Sequence, residues 1–434
     1  MTADESNADP GVSMARRTLI RRAAGILAGT AATSSVLAQE PKPAGAAAPV
    51  AAAPLITTSE EGFEIIDIPH YSDELMSVIN LHEFEGVAKK RISTQAYDYI
   101  RAGAADELTL QANLAAYGDY WIRRRVMVDV SHVDTSLELF GHKLAHPIIL
   151  GPIGLRRLLN PDGDRLTILA AHKTGAILVG PRLDLIQELA KTDQAPMWWA
   201  ASLGHATAQD AQAWARESEA QGASALCVSL DYPYTGARDR PSRDHWESQW
   251  ADTPRYNTGE GEVTFQPGMV WPYFPNMNWE WFKWVRGSTQ LPIVAKGITT
   301  AEDARMAVKA GVDAIAVSNH GGRTLDGAVA TLHALPEVVD AVNGKIPVIV
   351  DGGVRRGGDV IKCMSLGAKA VMIGRPYLWA LAAYGQEGVQ RVVELLTGEL
   401  RMALGLSGAG HLAAIDRSLI RPAWKPYPNP STHA

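Results

Sequence analysis

"PVIVDGGVRRGGDVIKCMSLGAKAVMIGRP" runs from Pro347 to Pro376. It contains two short apolar runs, "PVIV" and "AVMI", with room for one helix between them. Each run ends in glycine and arginine. Gly352, Gly353 and Arg355 follow the first, and Gly374 and Arg375 follow the second. Such near-continuous apolarity suits strands buried on both faces of a parallel sheet.

The same pattern extends upstream. "PIILGPIG", "GAILVGP", "PMWWAAS", "ALCVSLD", "PIVAKG" and "AIAVSNHGG" bring the number of such runs to eight. Between them lie amphipathic stretches such as "DRLTILAAHKTG" and "TAEDARMAVKAG", apolar at three- and four-residue spacing and often ending at Gly. Strand then helix, repeated eight times, predicts an α/β fold, a (β/α)8 TIM barrel. A helical extension is expected before it and a long loop after strand four. An open doubly wound sheet is the alternative. It is disfavoured because no G-x-G-x-x-G follows the first strand.

In such a barrel the chemistry sits where strands end and the following loops begin. Polar residues fall at that edge. Strand four ends with Ser229 and Asp231, strand five with Lys296, and strand six with Ser318, Asn319 and His320. Strand seven ends with Asp351, Gly352 and Gly353, and strand eight with Gly374 and Arg375. Glycines let backbone N–H groups approach an anion, and Arg355 and Arg375 add charge. The loops after strands seven and eight are the usual phosphate site of this architecture. Read alone, the glycines also suit simple turns. Glycine and arginine in both loops point to a phosphorylated cofactor or substrate.

These motifs resemble the FMN-dependent α-hydroxy-acid oxidases and dehydrogenases, a family that includes glycolate oxidase and lactate and mandelate dehydrogenases. The resemblance covers roughly Leu81 to Trp424. It is carried by "YDYIRAGAADELT", "VSLDYPYTGARD", "PIVAKGITTAEDA", "VSNHGGRTLDG" and the opening stretch. It implies FMN as cofactor and a small anionic 2-hydroxy acid as substrate. By position, His320 is the implied base and Asp231 its carboxylate partner. Arg323, Arg238 and Tyr99 are the implied clamp on the substrate carboxylate. Lys296, Ser229, Ser318, Pro152, Ile153 and Gly154 are implied to face the flavin. Asp351, Gly352, Gly353, Arg355, Gly374 and Arg375 are implied to hold its ribityl phosphate end. Oligomeric assembly is a further expectation from the same resemblance.

The residue types suit those roles. Oxidising an α-hydroxy acid removes two protons with two electrons, so a base of near-neutral pKa is needed, and imidazole is one. A carboxylate beside it fixes its tautomer. Arginine offers planar paired donors to a carboxylate. An ammonium such as Lys296 stabilises developing negative charge.

The chain departs from the family's pattern at two strands. Where strand three of that family reads Gln-x-Tyr, an ungapped count places Ala201 and Leu203. Strand two lacks the Ser-rich tip and reads "LVGPRLD". Arg182 and His205 are candidates to fill the gap. After strand four the chain is rich in tryptophan, with Trp246, Trp250, Trp271, Trp279, Trp281 and Trp284. Packing on the barrel, an enlarged apolar pocket and contact with a membrane surface are the open readings.

The remaining features bound the class. The chain has 434 residues, 46% hydrophobic, with a formal net charge of -6. No lysine or arginine block suggests a nucleic-acid stripe, and no nucleic-acid partner is expected. Cys227 and Cys363 both lie in apolar runs and read as buried small hydrophobes rather than as a disulfide or metal pair, so no metal site is expected.

Residues 1–38 read as an export signal. Arg16 and Arg17 precede a modestly apolar run, and Val36 and Ala38 occupy the places before a cleavage site. A disordered basic tail is the alternative. The paired arginines resemble a twin-arginine signal, which exports folded proteins and suits one that binds its cofactor in the cytoplasm. A periplasmic location is then expected. Residues 39–62 read as a Pro/Ala-rich linker and 63–434 as the barrel domain. Electrons would pass to O2, a quinone or a redox protein. Two other functions compete: an isomerase or aldolase, which would need no His320–Arg323 pair, and a flavin-binding sensor.

Overall fold

The computed structural model describes residues 71–205, 207–243 and 276–423, with the backbone of two short strands, Ile56–Thr58 and Glu64–Ile66. Eight parallel strands close into a barrel: β1 Ile148–Leu150, β2 Ile177–Val179, β3 Trp198–Ser202, β4 Ala225–Ser229, β5 Ile293–Ile298, β6 Ala314–Val317, β7 Val348–Val350 and β8 Ala370–Ile373. Neighbours in sequence are neighbours in the barrel, and β8 closes on β1 through Val371 and Ile148. The eight apolar runs are therefore the eight strands. They read as unbroken apolar segments because both faces are covered. Every residue of β1, β2, β4, β6, β7 and β8 is buried.

Helices return the chain between strands. Thr207 and Thr300 cap the N-termini of Ala208–Ala220 and Ala301–Lys309, each hydroxyl accepting from the N–H three residues on. Among the described residues, four α-helices come ahead of the barrel, Asp73–Met76, Glu83–Ala88, Thr94–Arg101 and Leu108–Ala115. They form the expected helical extension. A hairpin, Leu137–Leu139 with His142–Leu144, turns on Phe140 and Gly141, both at positive φ. Phe140 packs its ring 5.8 Å from Trp199 of β3.

Within residues 39–62 one element is described. Ile56–Thr58 is a strand paired antiparallel with Glu64–Ile66, where β-branched Ile and Thr suit extended backbone. The rest of 39–62, and the export signal at 1–38, lie outside the described residues. So do Trp246, Trp250 and Trp271 of the long segment between β4 and β5. In that segment Trp281–Arg286 is a helix that buries Trp281. For this tryptophan the packing reading holds. Cys227 and Cys363 are buried free thiols, each pushed up to about 12 by burial.

Candidate active site

The C-terminal ends of β5, β6 and β7 carry one connected polar group. Lys296, on β5, is buried and donates from Nζ to Ser318 Oγ at 2.8 Å. Ser318 Oγ donates to Asp351 Oδ2 at 2.9 Å. The Lys296 ammonium also lies 3.4 Å from Asp351 Oδ2 and 4.0 Å from Asp231 Oδ2. Burial works against its charge, but the two carboxylates outweigh it and raise its pKa. Strand geometry makes this meeting possible. Ser229 and Lys296 are register partners across β4 and β5, and Gly297 forms a bulge at φ +108. A β carbon on Gly297 would lie 2.7 Å from Asp231, so only glycine lets the two loops approach.

His320 follows β6 at φ +57, in the left-handed region, and Gly321 and Gly322 continue there at +67 and +71. Its Nδ1 is 3.0 Å from Asp231 Oδ1. Burial opposes ionisation of Asp231, yet Lys296 and His320 hold its carboxyl below the usual range. An ionised carboxylate only accepts, so Nδ1 carries the proton and Nε2 the lone pair. Burial lowers the His320 pKa; Asp231 pulls it back up, and Lys296 and Arg323 push it down. The net shift is downward. The imidazole is thus neutral at neutral pH, with the basic nitrogen on the side away from Asp231.

Arg323 turns back against the N-terminal extension. Its Nη1 donates to the carbonyls of Tyr99, Ile100 and Ala102 at 2.9, 3.2 and 3.0 Å. Tyr99 sits between two guanidinium groups, with Arg323 5.0 Å and Arg238 5.1 Å from its ring centroid. Gly236 brings the β4 loop to this place, because any β carbon there would lie 2.2 Å from Arg323 O. Burial, then Arg238, pushes Arg323 down to about 10, still charged at neutral pH.

Arg375, at the start of the helix Arg375–Ser407, donates to the carbonyls of Ile100, Gly321 and Ala102. Its pKa is depressed by burial and then by Arg323, Arg355 and Arg101. Burial also lowers Arg355. Arg323, Arg355 and Arg375 line one cleft of about 1050 Å³, part of it open to solvent. His320, Arg323, Tyr99 and Lys296 line it together with Pro152, Ile153 and Gly154. Asp351, Gly352, Gly353, Arg355, Gly374 and Arg375 complete the polar wall. Gly353 is held at φ +84 where a β carbon would collide with Asn113 O at 1.9 Å.

Some positions differ from expectation. Ser318 and Ser229 do not line the cleft. Ser318 is fully buried and bridges Lys296 and Asp351, and Ser229 lies behind them on β4. Asp351, grouped by sequence with the phosphate loops, lines the cleft with them and also pairs with Lys296; its Oδ1 is buried without a hydrogen bond. Neither candidate for the β3 gap enters the cleft. Arg182 pairs with Asp184, and His205 bonds to Ser202 and stacks on Trp281.

Three residues went unread in the sequence. Tyr232 stacks on His320. Asn113 exchanges side-chain hydrogen bonds with Asn319 at 2.8 and 2.9 Å and accepts from Thr331 N at 3.1 Å. Tyr117 donates to Gly352 O at 2.9 Å. Only Tyr232 had a local signal, its place directly after Asp231. Asn113 and Tyr117 belong to the extension and reach the barrel through tertiary packing.

A family model described as FMN-dependent dehydrogenase matches residues 88–422. The chain is 40% identical to a peroxisomal (S)-2-hydroxy-acid oxidase of Oryza sativa subsp. japonica, over 78% of this chain and 95% of that one. It is 38% identical to an L-lactate oxidase of Nostoc sp., over 80% and 99%. It is also similar to a crystal structure of mandelate oxidase with (S)-2-phenylpropionate, at TM-score 0.69 and 34% identity, covering 78% of this chain and 96% of that one.

Proposed function

Because the chain belongs to the FMN-dependent dehydrogenase family, we propose that the cleft is where a 2-hydroxy acid is oxidised to its 2-oxo acid, with His320 as the base. The enzyme is an FMN-dependent 2-hydroxy-acid oxidoreductase. The chain's donors fit that cofactor. Crowded, mutually repelling arginines at Arg355 and Arg375 suit a phosphate, and the unpartnered Asp351 Oδ1 suits a hydroxyl donor of a ribityl chain. FMN, when bound, supplies the acceptor for two electrons.

One observation carries the reading: His320, held 3.0 Å from Asp231, lines the same cleft as Arg323. His320 Nε2 takes a proton from the substrate. Asp231 holds the tautomer and stabilises the imidazolium. Arg323 and Arg238, with Tyr99 between them, receive the carboxylate; the fork of each guanidinium suits two oxygens. Lys296, which lines the cleft, would offer positive charge to a bound flavin as it gains negative charge. The isomerase and sensor readings leave the His320–Arg323 pairing without a use.

The test is anaerobic bleaching of the purified holoenzyme by glycolate, L-lactate and (S)-mandelate. Bleaching by one or more is expected, and failure of all three would remove the reading. Dioxygen is the proposed electron acceptor, in keeping with the oxidase names of similar proteins. Peroxide formed in step with 2-oxo acid tests it, and turnover only with an artificial acceptor would count against it.

Export to the periplasm through the Arg16–Arg17 signal is proposed as well. Cell fractionation of the native chain and of a variant with Arg16→Lys and Arg17→Lys checks it; equal location of the two would oppose it. A homo-oligomer is proposed from the family resemblance, and sedimentation measures it.

A further inference from the structure

The imidazole of His320 has an edge and a face. Asp231 holds the edge through Nδ1. The Tyr232 ring lies against the face, with centroids 4.7 Å apart and planes at 29°. Asp231 and Tyr232 are consecutive, so one short turn after β4 delivers both contacts. Among the described residues no other ring pair involves His320. The tips of β2 and β3 bring Gly180, Ala201 and Leu203, which offer it neither a ring nor a charge.

The Cβ–Cγ bond and the hydrogen bond at Nδ1 hold the imidazole at two points and leave it a tilt about the line between them. A ring against its face removes this freedom. Edge and face together fix the plane, and with it the direction of Nε2. We propose that Tyr232 is a positioning residue for the base, its ring holding His320 Nε2 toward the substrate. The inference rests on the base role of His320 given above.

Tyr232 also shields the imidazole from water. The groups acting on His320 are Asp231 and Tyr232 from the β4 loop, Lys296 from β5 and Arg323 from its own loop. Burial is the largest of the effects that lower its pKa. The phenol itself is raised by burial and lowered by Arg238 and Arg323, so it lies in the field of the carboxylate clamp. Removing the ring lets water in and moves His320 back toward its ordinary value.

The experiment follows FMN bleaching by stopped flow across pH, using whichever of glycolate, L-lactate and (S)-mandelate bleaches the native holoenzyme fastest. Tyr232→Leu and Tyr232→Met each replace the ring by an aliphatic chain, so one folded variant suffices. For these, the reduction rate is expected to fall roughly 10- to 100-fold, with substrate Kd changing less and the acidic limb moving up in pH. Tyr232→Phe keeps the ring and is expected to stay within about threefold of native, with an unmoved limb. Native rate and native limb in Leu or Met would overturn the proposal. So would a loss in Phe as deep as in Leu. Failure of the native enzyme to bleach would instead strike the underlying base reading.

Discussion

From β5 round to β1 the rim presents Lys296, His320, Asp351, Arg355, Arg375 and the Pro152–Gly154 turn to one cleft. From β2 to β3 it presents Gly180, Ala201 and Leu203, none of which lines that cleft. Strand four stands between them and works from behind, through Asp231 and Tyr232. The two arcs share strand order, parallel register and burial, so the barrel does not cause the difference. It lies in which strand tips carry charge. A charge at a buried tip needs a partner on the next strand, and the Lys296–Ser318–Asp351 chain shows how three adjacent tips satisfy one another. Apolar tips need no such partner. At the β2 tip the carbonyls of Val179 and Gly180 accept from the buried Arg156, and a β carbon at Gly180 would meet Ala201 at 3.0 Å.

The contrast can be broken from the polar side. His320→Ala is expected to keep FMN and lose flavin reduction by roughly 10²- to 10⁴-fold, the usual scale for a general base. Stopped-flow bleaching measures it, and retained reduction would deny His320 the base role. Lys296→Met leaves Asp231 and Asp351 buried without their cation. A loss of roughly 3–5 kcal/mol in unfolding free energy is expected, that of breaking a buried ion pair, and urea titration reads it. An unchanged midpoint would show that the polar arc is not held together by Lys296.

Arg323→Lys cannot hold three carbonyls and a carboxylate at once. Substrate Kd should rise roughly 10- to 100-fold with FMN Kd little changed. A pH series adds a signed test. His320 titrates below its ordinary 6.5, and only the neutral form accepts a proton. Reduction should therefore be full at neutral pH and fall as pH drops through a value below 6.5; a fall already complete above it would contradict the assignment. The smallest effect is expected on the apolar arc. Leu203→Tyr should alter substrate Kd by less than about threefold, and a large gain would show that β3 reaches the substrate after all.

The barrel was legible because it is made of local signals. Each buried strand is a short apolar run and each crossover an amphipathic stretch, so eight repeats identify the architecture without any long-range information. The His320, Arg323, Arg355 and Arg375 positions were legible for the same reason, since strand tips are chemically abrupt. Ser229 and Ser318 were expected at the cleft but do not line it. Both stand at tips, but a tip residue can face the cleft or its neighbouring strand, and sequence does not distinguish the two. Asn113 and Tyr117 were missed because a helix of the extension carries no mark of the loop it will meet.

By itself, the sequence determined the strand–helix repeat, the glycines that permit close approach, and the charge at each tip. Whether those charges meet, and at which atoms, was decided only by closure of the barrel and by the packing of residues 94–117 over its mouth. That difference has a physical cause. Backbone propensity and burial act within a few residues, whereas Asp231 and His320 are 89 residues apart. Their hydrogen bond exists only because the barrel brings the ends of β4 and β6, on either side of β5, to one rim.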